Sequence, residues 1–192
     1  WHRVNLGFVS AYILARGAEA ALVDTGVAGS EDAVEEALTA VGLGWSSVRH
    51  LVLTHRHNDH VGSAAAILER APDATAYAGA GDVDRIAVSR TLVGVGDGDR
   101  VFDLEIVTAP GHTPGSICVL DPRAGVLVAG DALRSEGGRP SRPNPQFTED
   151  MALAMTSVRK LAGLPFDTLL VGHGDPVVGA ASAAVAELAA QS

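Results

Sequence analysis

Thr54-His55-Arg56-His57-Asn58-Asp59-His60 places three histidines and one aspartate within six consecutive positions. Neutral imidazole is the usual nitrogen ligand of zinc, and a carboxylate adds oxygen and negative charge. Crowding of such residues into one short segment marks a metal site rather than a set of satisfied core side chains. His55 and His57 stand two apart, so on an extended segment they point the same way, and Asp59 continues that alternation. His60 falls on the other side, where the chain turns into a helix. One segment can therefore offer two ligands to one ion and two to a second. The spacing is not the helical H-E-x-x-H pattern, whose histidines stand four apart.

Other candidates lie far along the chain. His112 sits in Pro110-Gly111-His112-Thr113-Pro114-Gly115, Asp131 follows Gly130, and His173 stands between Gly172 and Gly174. Asp24 closes Val23-Asp24-Thr25-Gly26, where it either caps the next turn or supports the ligand segment. His2 and His50 read as ordinary surface or core histidines, and Cys118, inside an apolar run, as a small buried hydrophobe.

These residues need elements to position them. Leu6 to Leu14 and Ala20 to Val23 are apolar and β-prone, and read as an antiparallel hairpin. Ser30 caps a helix whose apolar Val34, Ala37, Leu38 and Val41 recur at helical spacing until Gly42. Val48 to Leu53 reads as a strand feeding the histidine cluster, followed by a helix over about Ser63 to Arg70. Ala74 to Ala78, Val101 to Thr108, Ser116 to Leu120, Gly125 to Ala129 and Asp167 to Val171 are further strands. A Gly/Asp-rich stretch from Gly79 to Arg100 holds one short helix and a turn at Gly96 to Asp99. Residues 134–147 are polar with three prolines, which predicts a long surface loop. Thr148 is the expected cap of a helix to about Leu161, and an alanine-rich helix closes the chain over Gly179 to Ala190. Asp24, the histidine cluster, Asp131 and His173 each follow a strand, and His112 lies in a loop after another. Strand ends in such a chain gather at one rim, where loops carry the chemistry.

Composition restricts the function classes. At 192 residues with 47% hydrophobic and 19% charged, residues 1–192 suit one domain with a true core. The net charge of −9 and the absence of a basic run argue against nucleic-acid binding. No apolar run is long enough for a membrane span. The single cysteine allows no internal disulfide, which favours a reducing, cytoplasmic setting. The sequence opens Trp1-His2-Arg3, and a removed export signal would leave no trace.

Taken in order, Asp24-Thr25-Gly26, Thr54-His55-Arg56-His57-Asn58-Asp59-His60, Pro110-Gly111-His112, Gly130-Asp131 and Gly172-His173-Gly174 resemble the motifs of the metallo-β-lactamase-fold hydrolases, over nearly the whole chain from about residue 6 to 178. The resemblance implies an α+β fold, a four-layer αββα sandwich. It implies two divalent metal ions per chain, zinc before manganese or iron. His55, His57 and His112 would hold the first ion and Asp59, His60 and His173 the second, with Asp131 bridging. Asp59 would also orient a hydroxide shared by the ions, and Asp24 would support the ligand segment. Asp131 stands where one lactamase subclass has cysteine, and His57 where the di-iron flavoproteins have glutamate. The set is similar to that of glyoxalase II, but only a short segment follows Asp175, with no room for that enzyme's C-terminal helical domain. The expectation is a dinuclear hydrolase of a small ester-like molecule, a thioester or lactone. Arg134 and Phe147 would touch the substrate, with no nucleic-acid or membrane partner. A mononuclear iron enzyme resembling persulfide dioxygenases and a β-lactam hydrolase are the alternatives.

Overall fold

The computed structural model describes residues 1–191. The first sheet runs in chain order: β1 (His2–Asn5), β2 (Ser10–Arg16), β3 (Glu19–Val23), β4 (Val48–Leu53), β5 (Thr75–Gly79) and β6 (Val93–Val95). Its first three strands pair antiparallel and the rest parallel. The chain continues through β7 (Arg100–Val101), β8 (Leu104–Thr108), β9 (Ile117–Asp121) and β10 (Val126–Val128). It then forms a separate hairpin, β11 (Arg134–Glu136) with β12 (Arg139–Ser141), and ends with β13 (Thr168–Leu170) and β14 (Val177–Val178). The second sheet has the order β14-β13-β10-β9-β8-β7. The helices are α1 (Glu31–Ala40), α2 (Asn58–Val61), α3 (Ala64–Arg70), α4 (Met151–Leu161) and α5 (Ala181–Ala190).

The side-chain period of two sorts these strands into layers. On β2, Ala11 and Ile13 join Val34 and Leu38 of α1 and Ile67 and Leu68 of α3. Their neighbours Tyr12 and Leu14 turn the other way and meet Val119, Val126, Val128 and Leu170 of the second sheet. Beyond that sheet, Cys118, Leu120 and Leu127 pack on Met155 and Val158 of α4 and Val185 of α5. The result is the four-layer αββα order that the resemblance implies. Each fully buried Val, Leu or Ile contributes about 1.5–3 kcal/mol, so the sandwich is a stiff frame for its loops. Among the described residues no helix is long and apolar enough to cross a membrane.

At one edge the two sheets are stitched together. Ser10 N donates to Gly172 O at 2.9 Å, Ile117 N to Thr54 O at 2.9 Å and Tyr12 Oη to Val171 O at 2.8 Å. The parallel pairs β3–β4 and β10–β13 both end at this edge, with Asp24, the histidine cluster, Asp131 and His173 beyond them.

Several elements differ from the sequence reading. Leu6 to Leu14 is not one strand: Gly7 takes φ +88° and Leu6 N bonds Val9 O at 3.0 Å, which folds the chain back between β1 and β2. Val101 to Thr108 breaks at Phe102 and Asp103, both in the left-handed region. Residues 134–147 are not all loop, because Gly137 and Gly138, at φ +57° and +74°, close the β11–β12 hairpin. Asp150, not Thr148, caps α4, accepting from Leu153 N at 2.9 Å.

Gly62 shows how tightly the cluster is seated. Its N–H donates to Gly26 O at 2.9 Å, and a Cβ there would lie 2.5 Å from both Ala28 N and Asn58 O. Both obstacles are backbone, so Gly62→Ala is expected to cost ~1–3 kcal/mol, as overpacking does. The urea midpoint measures this, and an unchanged midpoint would show that the 26–28 turn is free to move.

Candidate metal centre

The structure brings His55, His57, Asp59, His60, His112, Asp131 and His173 together at the stitched edge. Ligand-type atoms of His55, His57 and His112 lie within 4.8 Å of one another, and so do those of Asp59, His60 and His173. Asp131 touches both trios. Its Oδ2 is 3.6 Å from His112 Nε2 and 3.3 Å from His173 Nε2, and its Oδ1 is 3.2 Å from His60 Nε2. Asp59 does not continue the alternation of His55 and His57. The one-turn helix α2 begins at Asn58 and swings Asp59 to the side of His60 and His173, its Oδ2 3.1 Å from His173 Nε2.

Hydrogen bonds on the outer side of each ring decide which nitrogen faces inward. Thr54 Oγ1 donates to Asp24 Oδ2 at 2.7 Å. Its one proton is thereby used, so His55 Nδ1 must donate to Thr54 Oγ1 across 3.1 Å, leaving Nε2 a bare acceptor. The same logic holds at His112. Thr148 Oγ1 donates to Asn144 O at 2.7 Å, so His112 Nδ1–H donates to Thr148 Oγ1 at 3.2 Å and Nε2 carries the lone pair. That lone pair meets His57 Nδ1 at 2.9 Å, and one proton or one cation must reconcile the two nitrogens. His60 Nδ1 donates to Asp24 Oδ2 at 2.8 Å, and His173 Nδ1 donates to Phe8 O at 2.7 Å. Such outward bonds fix tautomer and orientation in metal-binding histidines.

Asp24 is thus the hub of the second trio. It is buried at φ +63°, accepts from Thr54 N and Thr54 Oγ1, both at 2.7 Å, and holds His60. A non-glycine residue there costs about 1–3 kcal/mol, which persists only where the surroundings impose it.

The cluster also meets the test of fitting a cation. His55 Nε2, His60 Nε2 and Asp131 Oδ1 are buried with no well-aligned hydrogen bond among the described residues, the last two facing each other across 3.2 Å. An unanswered buried polar atom costs about 1–3 kcal/mol, yet these three converge within 4.8 Å. In the metal-free protein the charges partly compensate. Burial holds His55 well below its ordinary value and His112 at about 4, so both are neutral at pH 7. Burial would also lower His60, but Asp24 and Asp131 outweigh it and push it up to about 10. Asp131 and Asp59 raise His173 to about 10 as well. Asp131 itself, despite burial, is held well below the carboxylate range by His173 and His60.

The remaining sequence candidates fall as follows. Arg134 and Phe147 border the cleft over the trios, with Phe8, Val27, Asn58 and Asn144. His2 is exposed, and His50 packs its ring 4.9 Å from Phe102, away from the centre. Cys118 is buried, its thiol pushed up to about 12 by burial. Sequence reasoning missed Thr54, Thr148, Phe8 and Gly172. A Cβ on Gly172 would sit 2.5 Å from Asp131 Oδ1 and from His60 Cε1. Its position beside His173 was the available signal, as Thr54's was beside His55. Nothing local marks Thr148, whose partner His112 is 36 positions away.

The family model described as metallo-beta-lactamase superfamily matches residues 4–173. The uncharacterized protein YobT of Bacillus subtilis (strain 168) is 30% identical, the match covering 86% of this chain and 83% of that protein. A hydroxyacylglutathione hydrolase of Xanthomonas axonopodis pv. citri (strain 306) is 34% identical over 89% of this chain, which spans 62% of that enzyme's length. Among solved structures, a metallo-beta-lactamase family protein from Thermus thermophilus superposes with a TM-score of 0.76 at 24% identity, over 95% of this chain and 74% of the other.

Protons and metal ions compete for the same atoms. His60 and His173 rise from 6.5 in an unfolded chain to about 10 in the metal-free fold. Their protonated forms therefore stabilise that fold fully below pH 6.5, and the benefit is lost as pH rises through 10. A cation at their Nε2 atoms must displace both protons. Zinc uptake near pH ~7.5 is expected to release roughly two protons per chain. Calorimetry in buffers of different ionisation enthalpy measures the number. A heat independent of buffer would show that no protonated ring is displaced.

Proposed function

Since the chain belongs to the metallo-beta-lactamase superfamily, we propose that it is a two-metal hydrolase of a small acyl compound, a thioester or lactone, with zinc in both sites. The observation that carries this reading is the shared carboxylate: Asp131 lies between two complete ligand trios at the floor of an open cleft of about 750 Å³. His55, His57 and His112 would hold one ion and Asp59, His60 and His173 the other, with Asp131 shared between them. Nitrogen and oxygen donors without cysteine suit zinc, with manganese and iron as the metals to compare. Divalent ions held there supply Lewis acidity and lower the pKa of water.

The chain's own groups do the rest. Asp59 lines the cleft; in the metal-free fold the bond from His173 holds its carboxyl below the usual range, and a cation in that bond's place would keep it ionised. A water against Asp59 Oδ would be oriented there, its proton passing to that oxygen as its own oxygen adds to the acyl carbon; the acyl C–S or C–O bond then breaks, and the group leaves as a thiolate or takes up that proton as an alcohol. The exposed rings of Phe8 and Phe147, with Val27, give the cleft apolar walls that exclude water from the acyl group. Arg134, tied at 3.3 Å to Glu136 on the rim hairpin, offers a charged fork to an anionic part of the substrate. A thiolate leaves without a proton more readily than an amide nitrogen, because a free thiol has a pKa of only ~8.5. A thioester therefore asks less of the site's acid–base groups than a β-lactam does. The relative named hydroxyacylglutathione hydrolase supports the same substrate class.

Hydrolysis by the zinc-loaded protein should be fastest on thioesters or lactones within a panel that includes a β-lactam, and should vanish with a chelator. Asp59→Asn is expected to lower kcat on the order of 10²-fold or more, while Arg134→Ala and Phe147→Ala act mainly on KM. Normal kcat in Asp59→Asn would remove it from the proton path. One iron per chain with sulfur-dependent oxygen uptake would instead support the persulfide dioxygenase-like alternative.

A further inference from the structure

Arg56 stands between His55 and His57, in the bend that follows β4, and its side chain leaves away from the ligand cluster. There it meets Asp82, which is 0% exposed. Arg56 Nη1 donates to Asp82 Oδ1 at 2.8 Å and Arg56 N to Asp82 Oδ2 at 3.0 Å. The same carboxylate accepts from Thr113 Oγ1 at 2.6 Å and from Gly115 N at 3.1 Å. Asp82 begins a one-turn helix over Val83–Arg85 but gives that helix no side-chain cap. Its acceptors go instead to the two segments that carry the first trio, 55–57 and 111–115.

The other end of Arg56 completes the arrangement. Its Nη2 pairs with Glu149, whose N–H donates to His112 O at 3.2 Å, and Asp150 N donates to Gly111 O at 2.9 Å. The His112 loop is therefore tied to Arg56 through Asp82 on one side and through Glu149 on the other. The fit leaves no room for sliding. A Cβ on Gly115 would lie 2.3 Å from Asp82 N, and one on Gly79 would lie 2.0 Å from Gly115 O.

The charges matter as much as the bonds. Arg56 is a cation flanked by two candidate ligands of the first ion. Without the buried carboxylate, only the half-exposed Glu149 would offset that guanidinium, and a cation held beside it would be repelled more strongly. Asp82 thus fixes the spacing of the trio and offsets a charge that opposes ion binding. Asp24 serves the second trio by a different route, bonding His60 directly and reaching the first trio only through Thr54 and His55.

We propose that Asp82, acting through Arg56, is the positioning residue of the His55–His57–His112 site and sets its affinity for metal independently of the Asp59–His60–His173 site. The inference rests on the two-metal reading above. It is tested by titrating metal-free protein with Zn2+ against a chromophoric chelator, which yields two stepwise affinities. Anomalous scattering from crystals holding one zinc per chain then identifies the trio that fills first. Asp82→Asn is expected to weaken the first trio about 10–100-fold, the range for a lost outer partner of a metal ligand, and to direct a single zinc to the second trio. Asp24→Asn, which acts on His60 directly and on His55 only through Thr54, is expected to weaken the second trio more than the first. A merely structural role for Asp82 would weaken both sites together, and equal losses or an unchanged ratio would overturn the proposal. Should Asp82→Asn not fold, Arg56→Lys carries the same test, because an ammonium keeps the charge but cannot span Asp82 and Glu149. An unchanged ratio in that variant would overturn the proposal too. Wild-type protein that binds fewer than two zinc ions would overturn the two-metal reading and this inference with it, whereas two ions in wild type with no shift in the variants would overturn this inference alone.

Discussion

Imidazole nitrogens and carboxylate oxygens are buried within 4.8 Å of one another where the two sheets meet, with lone pairs turned inward. Three of those atoms, on His55, His60 and Asp131, make no well-aligned hydrogen bond among the described residues. Acceptors crowded together at the base of a cleft repel one another, and protons on His60 and His173 relieve only part of that repulsion. Divalent cations would relieve all of it at once. Much of the surrounding structure is arranged to keep the cluster from relaxing. The outer nitrogens are occupied by Thr54, Asp24, Thr148 and Phe8, so the rings cannot turn. Gly172, lacking a Cβ, lets Asp131 and His60 pack directly against its backbone.

The sandwich supplies the stiffness that this demands. Alternating strand residues pack both sheets against helices on the outside and against each other within. The loops at the stitched edge then inherit positions from strands that cannot shift without opening the core. Two buried aspartates complete the transfer from frame to centre. Asp24 ties the ends of β3 and β4 to His60, and Asp82 ties the histidine segment to the His112 loop.

How much of this was legible in the sequence depends on range. The ligand-type residues could be read because four of them share one segment and the others follow apolar strands or sit beside glycines. The layers could be read from the alternation on strands such as β2. The turns were less legible: Leu6 to Val9 is apolar, and only Gly7 betrays the reversal there. Residues 134–147 hid a hairpin because Gly137 and Gly138 looked like loop when they were its turn. Thr148 read as a helix cap because its bond to His112 is a property of the fold. Asp82 lay in a Gly/Asp-rich stretch with no local sign that its carboxylate reaches Thr113 and Gly115. Long-range hydrogen bonds leave no periodicity, so the supports of the centre stayed hidden while its ligand candidates did not.

Asp131 is where the two-metal reading is most exposed, because one carboxylate must serve both trios and screen the repulsion between two nearby cations. Its two oxygens reach His60 on one side and both His112 and His173 on the other. Asn at that position keeps one oxygen and loses the charge. The direct measurement is the number of ions per chain, by equilibrium dialysis against saturating zinc and elemental analysis, in wild type and Asp131→Asn. Wild type should hold about two and the variant should fall towards one, since three histidines suffice for a single zinc. A wild-type count of one, or a variant that holds two as tightly as wild type, would contradict a carboxylate-bridged pair.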